Sequence, residues 1–410
     1  MDWLAALAMA HGLSLSVVGG AIRDRLLGHD TPDKDLDLVV EGEQGWPAIH
    51  LLELVGIQEL PAGFQLKQSQ KFESFGTAHV QLDTPTGRLL CDLSSAREER
   101  YASPGAHPEV QPTDLAGDLR RRDFSINAIA ERLPLGSSPL IDPFAGQADL
   151  KARELKLLHA MSFQDDPSRL LRGVRYGARL SLQLAPESTA QVQTTLAAWP
   201  WPDNAPALAS RSRMELELLF SETSWRQALG LLEAWRALEL IQRDWRSFPR
   251  RSEVWLQRLG QWGHAISPTW SPEELRLVGL VWLVPHHNNL LVIAERLQLA
   301  HRQQQLLNRS LELQSWLQSL EPETTVHWKA SDWTVALEQR GAKAEPITAL
   351  MLLGPSHQHH TRPLLRWLMR WRLIESPISA KELINQGVSA GPALGQQLKE
   401  LRAEAINQHA

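Results

Sequence analysis

The sequence predicts an α+β protein: a small mixed-sheet domain over residues 1–135, followed by a long helical part. Three observations predict it. Period-two alternation recurs early in the chain, as in the run DLDLVV from Asp35 to Val40. After Pro143 the apolar spacing becomes helical, and beyond residue 200 almost no strand signal remains. Fourteen of the 16 tryptophans stand at or after Trp199, set among Leu and Arg, a pattern of helix–helix packing rather than of platforms for bases.

Taken in order, Met1 to Gly12 reads as a short amphipathic helix with Trp3, Leu4, Leu7 and Met9 apolar. Leu15 to Val18 is a strand, Gly19-Gly20 breaks it, and Ala21 to Leu27 is a helix that Gly28 stops. Asp35 to Val40 is a strand with one wet face. Ala78 to Leu82 and Leu89 to Leu93 form a hairpin through the turn residues Asp83 to Gly87. Ile126 to Glu131 is a further strand-like run. Asp149 to Leu158, Pro167 to Leu182, Glu187 to Ala198 and Ser212 to Leu219 have helical spacing. Pro- and Gly-rich joints fall at Pro200 to Pro206, Ser267 to Pro272 and Gly391 to Gly395.

Composition narrows the function classes. A length of 410 residues suggests two to three domains, and 43% hydrophobic content excludes a disordered chain. A net charge of -5 excludes a strongly basic nucleic-acid coat while leaving room for a local basic site. Cys91 is the single cysteine, which excludes a disulfide framework and a cysteine-based zinc site. No apolar run reaches the roughly 18–20 residues of a membrane span. Met1 to Ala10 carries Asp2 and no basic region, so no secretory signal is expected and a cytoplasmic location is.

Asp35 and Asp37 are one residue apart on a strand, so both carboxylates share a face and can hold Mg²⁺ through hard oxygen ligands. Alone, Asp-x-Asp is most often a solvated strand face. Just upstream, Val17 to Asp24 (VVGGAIRD) places a strand, a glycine turn and a helix start in sequence. Glycines allow close backbone approach, the helix start favours a phosphate, and Arg23 in the first turn can reach the same anion. The bland alternative is a structural turn with Arg23 in a surface pair. Neither a Walker loop nor a dinucleotide fingerprint is present. Glycine turn and acidic pair together point to a nucleoside triphosphate handled with metals.

These residues resemble the head of the class II tRNA nucleotidyltransferase and bacterial poly(A) polymerase family. Further motifs follow in the family's order. Arg121 to Ala128 (RRDFSINA) resembles the second and Asp142 to Leu150 the third. Asp165 to Arg172 (DDPSRLLR) with Arg175 resembles the fourth. Ser210, Arg213 and Glu217 match the fifth weakly, and Lys381 to Leu401 resembles a terminal module. The resemblance implies a polymerase-β-like nucleotidyltransferase head over 1–135, then an elongated all-α neck (136–219), body (220–375) and tail (376–410). It implies nucleotidyl transfer to an RNA 3′ end. Asp35 and Asp37 would be the catalytic, Mg²⁺-binding pair, Gly20 and Arg23 would cradle the triphosphate, and Arg122 would contact the nucleotide. Asp123 and Asn127 would organise the pocket, and Asp92, ending a neighbouring strand, could be a third carboxylate.

Asp166, Arg169, Arg172 and Arg175 recur at intervals of three, which suggests one helix face carrying all four. Arginines sharing a face repel unless they share an anion. A carboxylate beside a guanidinium matches the edges of cytosine and adenine and rejects the carbonyl edges of guanine and uracil. Asp166 and Arg169 would therefore read C and A, with Arg172 and Arg175 serving phosphates. The expected substrates are CTP, ATP and the tRNA 3′ acceptor end, with no DNA and no membrane as partner. Asp165 and Ser212 stand where the family usually has Glu. Arg97 to Val110 resembles the flexible loop of CCA-adding and A-adding members, which sets CC-only addition aside. CCA addition is the expectation, with A-only addition as its alternative and poly(A) synthesis behind both. His286-His287 and the cluster His357, His359, His360 read as loop histidines.

Overall fold

The computed structural model describes residues 1–29, 36–43, 45–103, 105–198, 206–355 and 360–409. It divides into two compact units, 1–211 and 212–410.

The first unit is built on a six-stranded mixed sheet. Its strands are β1 (Ser14–Val18), β2 (Leu36–Glu41), β3 (Gln65–Phe72), β4 (Thr77–Thr84), β5 (Gly87–Ser95) and, after the separate hairpin β6 (Arg97–Arg100) and β7 (Glu109–Pro112), β8 (Ala130–Arg132). The order is β3-β4-β5-β2-β1-β8, with β2 parallel to β5 and the other neighbours antiparallel. Helices α1 (Asp2–Ala10), α2 (Gly20–Leu26) and α3 (Pro47–Ile57) belong to the same unit. The expected β4–β5 hairpin is present, closed where Thr84 pairs with Gly87.

The pleat decides what each face does. Leu15, Val17, Leu38, Val40, Ala78, Val80, Cys91 and Leu93 point to one face and form a core with Leu4 and Ala8 of α1 and Leu51 and Val55 of α3. Their partners in the alternation, among them Asp37, His79 and Asp92, therefore stand on the opposite face. Val18 and Val39 on that second face pack against Leu115 and Leu119 of α4 (Leu115–Arg120) at one end of the strands.

Two expected elements differ from the sequence reading. Ile126 to Glu131 is not one strand: Ser125–Asn127 is a 3₁₀ turn, and only Ala130–Arg132 joins the sheet. A short buried apolar run does not distinguish the two by periodicity. Asp149 to Leu158 is not one helix: α5 (Gly146–Ala152) ends at Arg153, which takes the left-handed conformation at φ 62, and β9 (Glu154–Leu155) follows, pairing later with β10 (Gln183–Leu184). Then come α6 (Ser162–Asp165), α7 (Ser168–Leu180), α8 (Pro186–Ala198) and α9 (Pro206–Ser221), whose C-terminal part lies in the second unit.

The second unit is helical throughout its described residues: α10 (Trp225–Ala234), α11 (Ser252–Ile266), α12 (Pro272–Trp282), α13 (Leu290–Arg296), α14 (His301–Ser319), α15 (Pro322–Thr325), α16 (Ala330–Gln339), α17 (Ile347–Met351), α18 (Thr361–Met369), α19 (Ala380–Asn385) and α20 (Pro392–Gln408). Trp245, Trp282 and Trp367 are fully buried, as the tryptophan stripe suggests. No helix among the described residues is long and apolar enough to cross a membrane. Both ring nitrogens of His287 are engaged, by Gln314 at 3.1 Å and by the Trp282 carbonyl at 3.0 Å. His357 and His359 lie outside the described residues.

Candidate active site

Asp37 and Asp92 are register partners on the parallel strands β2 and β5, and His79 is the partner of Asp92 on β4. The three side chains therefore stand in a row across neighbouring strands, on the face away from α1 and α3. Asp37 is exposed, and the Asp92 side chain is 45% exposed and in contact with His79 Nδ1. The Phe72 and His79 ring centroids are 5.2 Å apart, at an interplanar angle of 84°. Asp35, the other half of the acidic pair, lies outside the described residues.

The glycine turn closes one side of this row. Gly19 has φ 72 and ψ -127, a backbone open in practice only to glycine. A Cβ built there would stand 3.2 Å from Arg122 Nη1 and 3.7 Å from Asp37 Oδ2, so the guanidinium and the carboxylate converge over Gly19. A side chain at this position would fill the cradle between them. Gly20, half-buried, opens α2.

Arg122 is held from behind by Asp118, which the sequence reading missed. Asp118 Oδ2 accepts from Arg122 Nη2 at 3.0 Å, and Oδ1 accepts from Arg121 Nη2 at 2.7 Å. The Asp118 side chain is 0% exposed. Burial works to raise its pKa, but the Arg121 and Arg122 guanidiniums outweigh burial and hold it below the usual carboxylate range. The signal was available: Asp118 precedes Arg121 and Arg122 by three and four residues at a helix end.

Arg23 does not reach outward. Its side chain is 3% exposed, donates from Nε to Asp24 Oδ1 at 2.8 Å and from Nη1 to Asn127 Oδ1 at 2.6 Å. Asn127 in turn donates to Asp123 Oδ1 at 2.9 Å, and Asp123 pairs with Arg172. Burial would raise the Asp123 carboxyl; Arg172 and the hydrogen bond from Asn127 prevail and hold it at about 2. Tyr176 collects this network, with Arg23, Arg172, Arg175 and Arg179 at 5.0, 5.1, 4.7 and 5.3 Å from its ring centroid. Arg23, Asn127, Asp123 and Arg172 thus form one polar chain that runs from the buried Arg23 to the partly exposed Arg172.

The expectation that one helix face carries Asp166, Arg169, Arg172 and Arg175 requires correction. Asp166 precedes α7 and is extended, at φ -139 and ψ 92. A strict interval of three also drifts around a helix by about 60° per step. Arg169 and Arg175 are each 7% exposed, whereas the Arg172 side chain is 39% exposed. The Arg169 backbone N–H nevertheless donates to the Asp166 carbonyl at 3.0 Å. Asp166 Oδ1 accepts from the Ser168 backbone at 3.0 Å, and Arg169 donates to Ser162 Oγ at 2.5 Å and to the Arg121 carbonyl at 2.8 Å.

Within and just beyond the segment Arg97 to Val110, β6 pairs antiparallel with β7. The stretch between them is tied down: Gly105 N donates to the Asp165 carbonyl at 3.0 Å, and Arg211 Nη2 donates to the Gly105 carbonyl at 2.9 Å while its Nε lies 3.4 Å from Asp166 Oδ2. Arg211, also missed from sequence, links the hairpin to Asp166. The third motif braces the site. Asp142 caps α5 by accepting from Gly146 N at 2.7 Å and Gln147 N at 2.9 Å, and Ser125 Oγ donates to Asp149 at 2.5 Å.

The site thus combines a mixed sheet, a glycine turn beside strand-borne carboxylates and a following arginine-bearing helix. Residues 15–156 match the family model described as the poly(A) polymerase head domain, so this part of the chain is similar to that head. A CC-adding tRNA nucleotidyltransferase of Deinococcus radiodurans is 41% identical over 242 residues, covering 58% of this chain and 59% of the relative. An A-adding tRNA nucleotidyltransferase of Aquifex aeolicus is 30% identical over 406 residues, 95% of this chain and 44% of the relative. The chain thus spans about half the length of these relatives. The solved structure of a Thermotoga maritima CCA-adding enzyme complexed with tRNA shares the fold, with a TM-score of 0.68 at 21% identity over 99% of this chain and 90% of that one.

Proposed function

We propose that this protein transfers nucleotides from CTP and ATP to the 3′ end of tRNA, building or repairing its CCA terminus without a nucleic-acid template. The observation that carries the reading is the convergence of Asp37 and Arg122 over Gly19, on the open face of the sheet that also bears Asp92. This is what attack on an α-phosphate needs: oxygen ligands on one side, a fixed cation on the other, and backbone bare enough to let the phosphates approach.

Asp35 and Asp37, with Asp92 in support, would hold Mg²⁺; the open face, the adjoining positions of Asp37 and Asp92 and their hard oxygens fit that ion. Bound there, Mg²⁺ supplies activation of the terminal ribose hydroxyl and charge neutralisation on the departing pyrophosphate. Gly20 keeps the triphosphate close to the backbone, and Arg122, fixed by Asp118, neutralises it. Arg172 and Arg175 face the same phosphates or hold the pocket, while Arg23 positions Asn127 and Asp123 from within. Asp166 and Arg169 read the incoming base. We assign residues 1–135 to the catalytic head, 136–219 to the neck, 220–375 to a tRNA-binding body and 376–410 to the tail, in a cytoplasmic protein. Labelled CTP and ATP offered with tRNA test the reading directly; no incorporation from either would overturn it.

Asp166→Ala should admit UTP or GTP. Losing a charged partner to the base edge costs about 10- to 150-fold in discrimination. Total turnover should fall as well, because Asp166 also anchors the start of α7 and faces Arg211. Relative kcat/KM for the four nucleotides checks this, and full preference for C and A in the variant would assign Asp166 a structural role alone.

A second reading, CC-only addition, is favoured by the Deinococcus relative.

A further inference from the structure

The helical unit holds a cavity of about 700 Å³ between α11, α17 and α18. That volume lies in the range of small-ligand and nucleotide sites. Its walls include Arg250, Arg251, Arg258, Trp262, Val254 and Leu365, and no carboxylate is among the described lining residues. Arg258 and Trp262 are four apart on α11, with the guanidinium 5.6 Å from the indole ring centroid. Trp262, Val254 and Leu365 are 37%, 44% and 40% exposed, so apolar lining stands open to water beside the arginines. The acid nearest in sequence, Glu253, is already paired with Arg226 at 3.3 Å. Helix α18 adds Arg362 and Arg366, both exposed, on either side of Leu365.

Arg250, Arg251 and Arg258 form no ion pair among the described residues. In a chain of net charge -5, three such guanidiniums on one cavity wall, with two more nearby, attract anions and not cations. Guanidiniums bind phosphates through paired N–H groups and shed water readily. An exposed indole beside them offers a stacking face for a base of any identity. Free phosphate would use the arginines and leave the indole idle; an acidic protein surface would do the same. Only a nucleic acid uses the whole wall.

We infer that this cavity is an RNA contact site of the helical unit, which holds phosphodiesters of the acceptor RNA on Arg250 and Arg258 and stacks one unpaired base on Trp262. The inference rests on the reading that the chain acts on an RNA 3′ end, and it names where part of that RNA is gripped. The site adds affinity and takes no part in the chemical step.

The test uses the full chain, a tRNA transcript, and free ATP and CTP as controls. The double variant Arg250→Glu/Arg258→Glu should weaken tRNA binding by about 10-fold or more near 100 mM salt. The slope of log affinity against log salt should drop by about two. Trp262→Ala should weaken binding about 5- to 10-fold and leave the slope unchanged. Incorporation at saturating tRNA should keep its kcat, the loss appearing in KM. If the double variant melts early, Arg258→Gln with Trp262→Ala carries the comparison. Unchanged affinity and slope in the variants would overturn the inference, as would a wild-type chain that does not bind tRNA. A defect equal for free ATP or CTP would make the cavity a nucleotide site instead. Arginine-dependent tRNA binding by a chain that adds no nucleotide supports the cavity and removes the catalytic reading. Nucleotide addition with variants that bind like wild type does the reverse.

Discussion

Asp37→Ala should lower kcat for nucleotide incorporation by about 10³-fold or more, a loss of roughly 4 kcal/mol in transition-state stabilisation. The fold should survive. Asp37 is exposed on the sheet face opposite the core formed with α1 and α3, so its removal leaves no cavity. Melting temperature and tRNA affinity should stay close to wild type. Asp35→Ala should behave alike if the two carboxylates form one ion site. Incorporation by either variant at the wild-type rate would remove the metal assignment.

Asp118→Asn should produce the largest loss of stability. The carboxylate is fully buried and serves Arg121 and Arg122 at once. Removing one partner of a buried charged group costs about 3 kcal/mol or more. For a unit of this size that corresponds to roughly 6–12 °C in melting temperature. The pH dependence follows from the sign of its shift. The folded carboxyl is depressed, so its contribution is present above the unfolded pKa near 4 and fades as pH falls through the lower folded value. Wild type should therefore lose stability on acidification below about pH 4 more steeply than the Asn variant. Because Asp118 also fixes Arg122 beside Gly19, activity should fall beyond what unfolding explains. Thermal melts across pH, paired with incorporation rates at a temperature where both chains are folded, check both parts. Equal melts would assign the two arginines to water rather than to Asp118.

What the residues disclosed depended on how local the signal was. The strand of Leu36–Glu41, the β4–β5 hairpin and α7 carry their own periodicity or turn chemistry, and they stand where the sequence puts them. Helix α3 passed unnoticed because PAIHLLELVGI is apolar on almost every side; its stripe becomes visible only once a sheet lies beneath it. Strand β3 (QLKQSQKF) is a polar edge strand whose residues are mostly exposed, so no buried face marks it. Within the candidate site, Asp37, Asp166 and Arg169 were singled out by their spacing and Arg122 by the family resemblance. Arg211 and the inward turn of Arg23 were not, because each depends on a partner distant in sequence: Asn127 for Arg23, and Gly105 and Asp166 for Arg211. The arginine interval of three suggested a single face; with 3.6 residues per turn, Arg169 and Arg175 are buried while Arg172 is partly exposed.

The most direct test of the account offers the wild-type chain three tRNAs, ending at the discriminator base, at C and at CC, with labelled CTP and ATP. Addition of CTP and ATP at one site predicts that all three are extended to CCA, with UTP and GTP excluded. Extension of the first two to CC alone, or of the third by A alone, would keep the transfer chemistry of Asp37 and Arg122 and restrict the base choice. No extension of any of the three, by a folded chain supplied with Mg²⁺, would contradict the account.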